Sequence, residues 1–437
     1  MSSKPHKIRK SAAQRGIEPV EFLKAFKIRD FRALWIGQFV SQIGDYLALI
    51  AALVVIQKLS GSTLWLGFTA MALTLPPLLF GLVGGVMADQ FDRKKVMVVS
   101  DVLRGIAILF LIGAKSPKHL YLFPLVGCSM SLAGVFFGPA RNAVIPSIVS
   151  REMLLTANGL LQASQMLAVI VGSSLASLVI AAFGPASAFI LDSLTFFISA
   201  WLILTLRIPP INNSGPKEGI IWPQLKEGLG YVKKRKPILV ILVAASVATL
   251  SIGSIAVLGV AYVEKYLGVS AESFGFLNSI QGIGMVAGGL SLGFFSRFAS
   301  PHYLAGITMM ALGVTILFFA FSSRFEAALI LAAIIGVCVV IARATLAAIL
   351  QATVPDEKRG RVESTVNTSI SFSTTLAMGF SGLLGAALGI RTVFSIAALG
   401  VISAGALALV ALKEPAGHHS PQVSRTSPHQ DPAETER

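Results

Sequence analysis

The chain has 437 residues, 54% of them hydrophobic and 13% charged, and its mean hydropathy is +0.76. Those proportions exclude an ordinary soluble globular protein, which at this length needs a charged coat. The formal net charge of +15 raises nucleic acid as a partner, but the placement of that charge assigns it to a membrane surface instead.

Residues 1–31 are basic and lack an apolar core segment, so they do not form a cleavable signal. Within them, Glu21–Phe31 (EFLKAFKIRDF) reads as a basic amphipathic helix lying along a membrane. Apolar blocks of about 20 residues follow, the length a helix needs to cross hydrocarbon. Twelve spans are predicted, at roughly 32–56, 63–87, 96–114, 119–141, 154–182, 185–206, 237–263, 273–296, 301–322, 325–350, 364–388 and 391–412. A β-barrel would need an in–out alternation that these blocks lack. Most Lys and Arg fall in the N-terminal segment and in loops on the same side of the membrane. The opposite side holds only Lys58, Lys115, Lys118, Lys265, Arg324 and Arg391. This asymmetry predicts a multi-pass cell-membrane protein with both termini cytoplasmic, and it makes VKKRK (Val232–Lys236) topogenic rather than a nucleic-acid patch.

In the first span Gln38, Ser41, Gln42 and Asp45 recur at i, i+3, i+4 and i+7, so they share one helix face. A carboxylate at mid-membrane costs about 2.5–3.5 kcal/mol, so this face should meet water or protein rather than lipid. Two readings of Asp45 stand: a group that binds a cation or takes up a proton, or a structural bond to a neighbouring helix. Pro76 and Pro77 should bend the second span. Asp101 and Arg104 form an i, i+3 pair read as structural and placed toward the cytoplasmic end of the third. Polar stripes recur as Asn158, Gln162 and Gln165 in the fifth span and as Asn367, Thr368, Ser371 and Thr375 in the eleventh. Asp192 in the sixth carries the same two readings as Asp45, with the structural one first. Arg141 and Arg343 either meet an anionic substrate or snorkel to the inner surface. Cys128 and Cys338 read as small core hydrophobes. The tail from Glu414 is rich in Pro, Ser and charge and is expected to be disordered.

The chain also repeats itself. IGDYLAL (Ile43–Leu49) aligns with IGSIAVL (Ile252–Leu258), Gly184 with Gly389, Asn158 with Asn367 and Cys128 with Cys338. Parallel six-helix repeats belong to transporters that rock two bundles about a midplane site. The predicted organisation is a basic segment 1–31, a six-helix bundle 32–206, a linker 207–236, a second bundle 237–412 and a tail 413–437. On this alignment Asp45 corresponds to Ser254, so the fold does not demand an acid there.

Between the second and third spans, GGVMADQFDRKKVM (Gly84–Met97) interleaves acids with bases. It resembles the cytoplasmic loop motif of the major facilitator superfamily, with Gly85, Asp89, Arg93 and Lys94 at its main positions; Gln90 and Asp92 depart from it. DFRALWIGQFVSQIGDYLAL, SDVLRG, FFGPARNAVIPSIVSREMLLTANGL and VPDEKRGRVES resemble the branch holding macrolide and enterobactin exporters. The resemblance implies an all-α membrane protein of twelve transmembrane helices, two six-helix bundles related by a pseudo-two-fold, with a central cavity lined by helices 1, 4, 7 and 10. It also implies that Asp89 latches the second half near Glu363 to Asn367, at the N-terminus of helix 11, a favourable place for an anion.

No phosphate-binding glycine loop, metalloprotease motif or nucleophile elbow occurs, and the six His lie in the tails or at span ends (His119, His302). The chain is therefore read as no enzyme, with no cofactor and no metal. The expected activity is secondary, proton-linked efflux of an amphipathic small molecule by a monomer in the lipid bilayer. A lysophospholipid transporter and a non-transporting sensor or scaffold are the alternatives. IVGSSLASL (Ile170–Leu178) lacks the Pro and paired Gly of many exporters, which leaves the direction of transport open.

Overall fold

The computed structural model describes residues 24–208, 230 and 235–412. Most of the segment 1–31 and of the linker 207–236, and the tail 413–437, lie outside the described residues. All regular structure among the described residues is helical. Twelve long helices follow in order: α1 Arg29–Ser60, α2 Thr63–Gln90, α3 Arg93–Leu109, α4 Leu122–Ile148, α5 Leu154–Phe183, α6 Pro185–Leu204, α7 Lys236–Leu267, α8 Phe274–Phe295, α9 Pro301–Phe321, α10 Phe325–Thr353, α11 Asp356–Leu388 and α12 Ile390–Ala411. Eleven of them contain a stretch long and apolar enough to cross a membrane. The remaining one, α8, carries Asn278, Gln281 and closely spaced glycines that lower its hydropathy.

Because the chain reverses at every turn, the starts of α1 and α7 and the end of α12 share one face of the molecule, here the terminus face; the opposite face is the far face. Within the first half α1 packs on α5 and α6, α2 on α4, and α3 on α4 and α6. Within the second, α7 packs on α11 and α12, α8 on α10, and α9 on α10 and α12. The halves meet chiefly where α2 crosses α11 and α5 crosses α8.

The internal repeat is written into the backbone. Among the described residues four glycines have positive φ, and they form two matched pairs: Gly61 (61°) and Gly268 (67°) end α1 and α7, and Gly184 (79°) and Gly389 (84°) precede α6 and α12. These left-handed positions suit a residue without a Cβ. They also correct the motif alignment. Gly44 of α1 meets Asp192 of α6, while Ser251 of α7 donates to the Ala397 carbonyl of α12 at 3.0 Å. Matching these contacts pairs Gly44 with Ser251 and Asp192 with Ala397, so Asp45 corresponds to Ile252 rather than Ser254. A seven-residue similarity between apolar helices slides easily by two; helix caps and crossings do not.

Cys338 is buried as expected, but Cys128 is exposed on the flank of α4. In lipid an apolar side chain gains little by turning inward, so hydrophobicity does not predict burial there.

The prolines of α2 and α4 remove backbone donors in a medium that cannot replace them. Pro77 frees the carbonyl of Leu73, which instead accepts a hydrogen bond from Ser131 Oγ of α4 at 2.5 Å. Pro139 frees the carbonyl of Val135, and Gly84 of α2 sits so close that a Cβ there would lie 2.4 Å from that oxygen. Ser131→Ala should therefore cost about 1 kcal/mol, and much less in a Pro77→Ala background where the ladder is restored. Thermal unfolding of the four variants of that cycle checks this coupling.

Candidate functional site

A cavity of about 560 Å³ lies between the halves, walled by α1 to α5 on one side and by α7, α8 and α11 on the other; α1, α4 and α7 line it as expected, but α10 supplies no lining residue. Its lining is largely apolar: Leu49, Leu53 and Phe123 from the first half and Phe274, Met285 and Met378 from the second. The polar residues of the lining are Thr69, Thr74, Asn278, Gln281, Tyr46 and one acid, Asp45.

Asp45 stands at the middle of α1 and also lines a second cavity of about 500 Å³ inside the first half, together with Arg104, Ser131 and the two prolines Pro77 and Pro139. Arg104 forms an ion pair with Asp101, one helical turn earlier. Its guanidinium is held between two aromatic rings, 4.7 Å from the centroid of Phe137 and 4.6 Å from that of Phe196. Asp101 and Asp192 are both fully buried. Asp45, Asp101 and Asp192 all lie within electrostatic range of Arg104. The Asp101–Arg104 pair thus belongs to the middle of the bundle, not to its end. Arg104 lies about 16 Å along α3 from Arg93 at 1.5 Å per residue, and that rise is the signal in the chain that places the pair at mid-depth.

The other residues of the α1 face divide. Gln38 and Ser41 are buried, Gln38 accepting from Arg141 Nη1 at 3.4 Å, and Gln42 keeps a buried Oε1 without a partner. On α5, Asn158, Gln162 and Gln165 are exposed. They continue the face on which Val169 lines the central cavity and Ser173 touches Gly275 of α8. On α11, Asn367 is exposed, two turns before Thr375, whose hydroxyl donates to the Ser371 carbonyl at 3.0 Å and lies 3.4 Å from the Thr74 carbonyl of α2. Arg343 is exposed on α10 and is absent from the lining of the central cavity.

At the loop motif, Asp92 caps α3, accepting from the backbone N–H of Lys94 at 2.9 Å and of Lys95 at 3.2 Å. Arg93 donates to the Ala143 carbonyl near the end of α4 at 3.0 Å, and Lys94 to the Leu206 carbonyl beyond α6 at 2.9 Å. Cations at helix C-termini are favourable, so these residues tie three helices of the first half together. The side chains of Gly85 and Asp89 lie outside the described residues, as does the expected latch to α11.

Bonds between the halves run from the far face inward. Gln57 Nε2 donates to Glu264 at 2.7 Å, Lys58 pairs with Glu272, and Ser177 Oγ donates to the Glu272 carbonyl at 2.6 Å. Thr63 Oγ1 donates to the Gly382 carbonyl at 2.9 Å. A Cβ at Gly67 would lie 2.8 Å from the Cα of Gly382, a close crossing of the kind small residues permit in membranes. Toward the terminus face the corresponding stripes of α5 and α11 are exposed. The cavity is closed by contacts at the far face.

Two membrane-spanning bundles in parallel repeat around a midplane cavity define a transporter of the major facilitator superfamily. The chain belongs to the transmembrane secretion effector family, whose sequence pattern matches residues 22–436. It is 26% identical over 400 residues to the MFS-type transporter YfiS of Bacillus subtilis (strain 168), covering 86% of this chain and 92% of that one. It is 25% identical over 369 residues to macrolide efflux protein A of Streptococcus pyogenes, covering 83% and 90%. Among solved structures it superimposes on a mutant of the nucleoside transporter NupG with a TM-score of 0.74 at 14% identity, covering 88% of this chain and all of that one.

The far-face closure makes a test. Burial by itself would raise the Glu272 carboxyl, but the hydrogen bond from Lys58, a backbone N–H and the Lys58 charge outweigh it and hold the group below its ordinary value. A depressed carboxyl keeps its pair ionised above the ordinary range and loses it only as pH falls through the lowered value. Glu272→Gln should raise thiol labelling of a Thr69→Cys reporter from the far side by no more than a few-fold, since a half-exposed pair is worth under about 1 kcal/mol. With Glu272 intact, labelling should stay flat between pH 5.5 and 8 (roughly a unit or more above the usual glutamate value).

Proposed function

We propose that this transporter exports an amphipathic organic compound bearing a basic nitrogen, in exchange for protons, as a monomer. The observation that carries the reading is Asp45, the one carboxyl among the described residues that line the largely apolar cavity between the halves. An apolar wall supplies affinity through burial of hydrocarbon, while a single buried anion selects for positive charge. The same carboxyl can be neutralised by a proton instead, so proton and cation compete for it.

Orientation follows from charge. The terminus face carries the N-terminal segment, the linker and the Arg93–Lys95 cluster, and basic loops stay in the cytoplasm. On that assignment the far face is extracytoplasmic, and a cavity closed there and flanked by exposed polar stripes toward the cytoplasm is the loading state of an exporter. The name of the relative macrolide efflux protein A supports efflux, and the absence of a phosphate-binding glycine loop in the sequence supports an ion gradient as the energy source. Arg343 and Arg141 take no part in substrate charge recognition on this reading.

The test is uptake of ethidium, followed by a panel of labelled amphipathic amines, into inverted membrane vesicles energised with a proton gradient. Uptake should collapse with a protonophore, and Asp45→Asn should lower it by about tenfold or more, equivalent to about 1.4 kcal/mol, at unchanged expression. Full activity of Asp45→Asn would remove the assignment, and movement independent of the gradient would favour a lipid-moving activity.

A further inference from the structure

A second carboxyl stands against Gly44, the residue before Asp45 on α1. Asp192 of α6 has no exposed surface, and its Oδ1 rests against the backbone of Gly44, where a Cβ would come within 2.5 Å of it and 2.2 Å of Thr195 Oγ1. Only at glycine can the carboxyl approach α1 this closely. Asp192 Oδ2 is buried without a hydrogen-bond partner. Thr195 Oγ1 lies 3.4 Å from Oδ1 but 2.7 Å from the Asp192 carbonyl, and a hydroxyl has one proton to give, so the shorter bond takes it. The carboxyl is left with no firm donor.

The groups around it are few. Asp45 and Tyr46 follow Gly44 on α1; the Tyr46 Cβ lies against Gly172 of α5, and Tyr46 also lines the central cavity. From α3 come Asp101 and Arg104, already paired with each other. Helix α5 contributes no titratable side chain, and Arg141 of α4 is engaged with Gln38 and Asn142 toward the terminus face. Three carboxyls thus share one guanidinium; fully ionised, they would leave two uncompensated charges in a water-poor interior, which is strongly disfavoured. The fold does not require this acid. At the matching contact of the second half, Ala397 takes its place and Ser251 bonds the backbone instead.

We propose that Asp192 is a second proton-carrying carboxyl of the transport cycle, exchanging a proton with Asp45 across the α1–α6 contact at Gly44. The O–H bond of the Asp45 acid breaks and one forms on the Asp192 carboxylate, with no change in total charge. Arg104, held at the same depth by Asp101 and two phenylalanine rings, compensates the Asp45 carboxylate left behind. Asp45 is then free to bind a cation from the cavity, and Asp192 sheds the proton before the loaded protein turns over, so the exchange of proton for compound is kept. This inference rests on the proton-coupled reading above.

Infrared difference spectra of the purified full chain during a pH titration test it without a transported compound. The wild type should show two buried protonated-carboxyl bands. Asp192→Asn should lose one of them, and Asp45→Asn should lose the other and move the titration midpoint of the survivor. Thr195→Val removes the one hydroxyl oxygen near Oδ1, 3.4 Å away and able to accept from the protonated acid, and should shift the midpoint of the Asp192 band alone. An Asp192→Asn spectrum identical to that of the wild type, or a Thr195→Val spectrum with both midpoints unmoved should Asp192→Asn not fold, overturns the proposal. If Asp45→Asn still removes a band in that case, the wider proton-coupled reading survives; if neither variant alters the spectrum, both fall.

Discussion

Arg104 is the interaction on which the first half depends. A guanidinium at mid-bundle has no water shell to retreat to, and its options are a carboxylate partner and the faces of aromatic rings. It uses both, with Asp101 on its own helix and with Phe137 of α4 and Phe196 of α6 on either side. Three helices are thereby registered at one depth. Removing the cation would leave Asp101 as an isolated buried charge, costing more than the pair ever contributed. Once the guanidinium is fixed, Asp45 and Asp192 sit in a field whose sign and position are set by the fold. Their protonation then becomes a property of the whole bundle rather than of either side chain.

The same medium explains the glycines. Helices in lipid are not driven together by hydrocarbon burial, since acyl chains already supply it, so association relies on close van der Waals contact and on polar bonds. Gly44 against Asp192, Gly67 against Gly382 and Gly275 against Ser173 are all sites where a methyl group would collide with a neighbouring helix. The last two lie between the halves, among hydrogen bonds that are mostly side chain to backbone. Such a seam is close-fitting but made of small increments. That is what an alternating-access protein needs, because a seam of large apolar side chains would have to expose them each time it parted.

Much of this was legible from residues alone. Twelve apolar blocks and the repeat gave the architecture, because backbone satisfaction in lipid leaves few alternatives to helices. Asp45 stood out because a carboxyl in a span is costly. Depth and facing were harder to read. Asp101 and Arg104 were visible as a pair, yet only packing shows that α3 carries them to the level of Asp45. Gln38 and Ser41 share a helix face with Asp45, but that face curves away from the cavity into α6 and α4. Asn278 and Gln281 went unremarked because α8 is otherwise unexceptional. In a membrane a hydrophobic residue fits inside or outside equally well, as exposed Cys128 shows, so periodicity carries less information than in water.

The two halves share a backbone plan but divide the chemistry. Among the described residues, the charged side chains at the level of the cavity all belong to the first half: Asp45, Asp101, Arg104 and Asp192. At the matching positions on α7 and α12 the second half has Ile252 and Ala397. Its contribution to the cavity is shape and polarity without charge, from Phe274, Asn278, Gln281, Met285 and Met378. Such a division has a mechanical consequence. Protonation changes the charge of one rigid bundle only, and the cost of exposing or burying that charge depends on whether the second bundle covers it. On the proton-coupled function proposed above, a proton biases the rocking of the halves without any residue of the second half titrating, and the uncharged wall is free to vary with the compound carried.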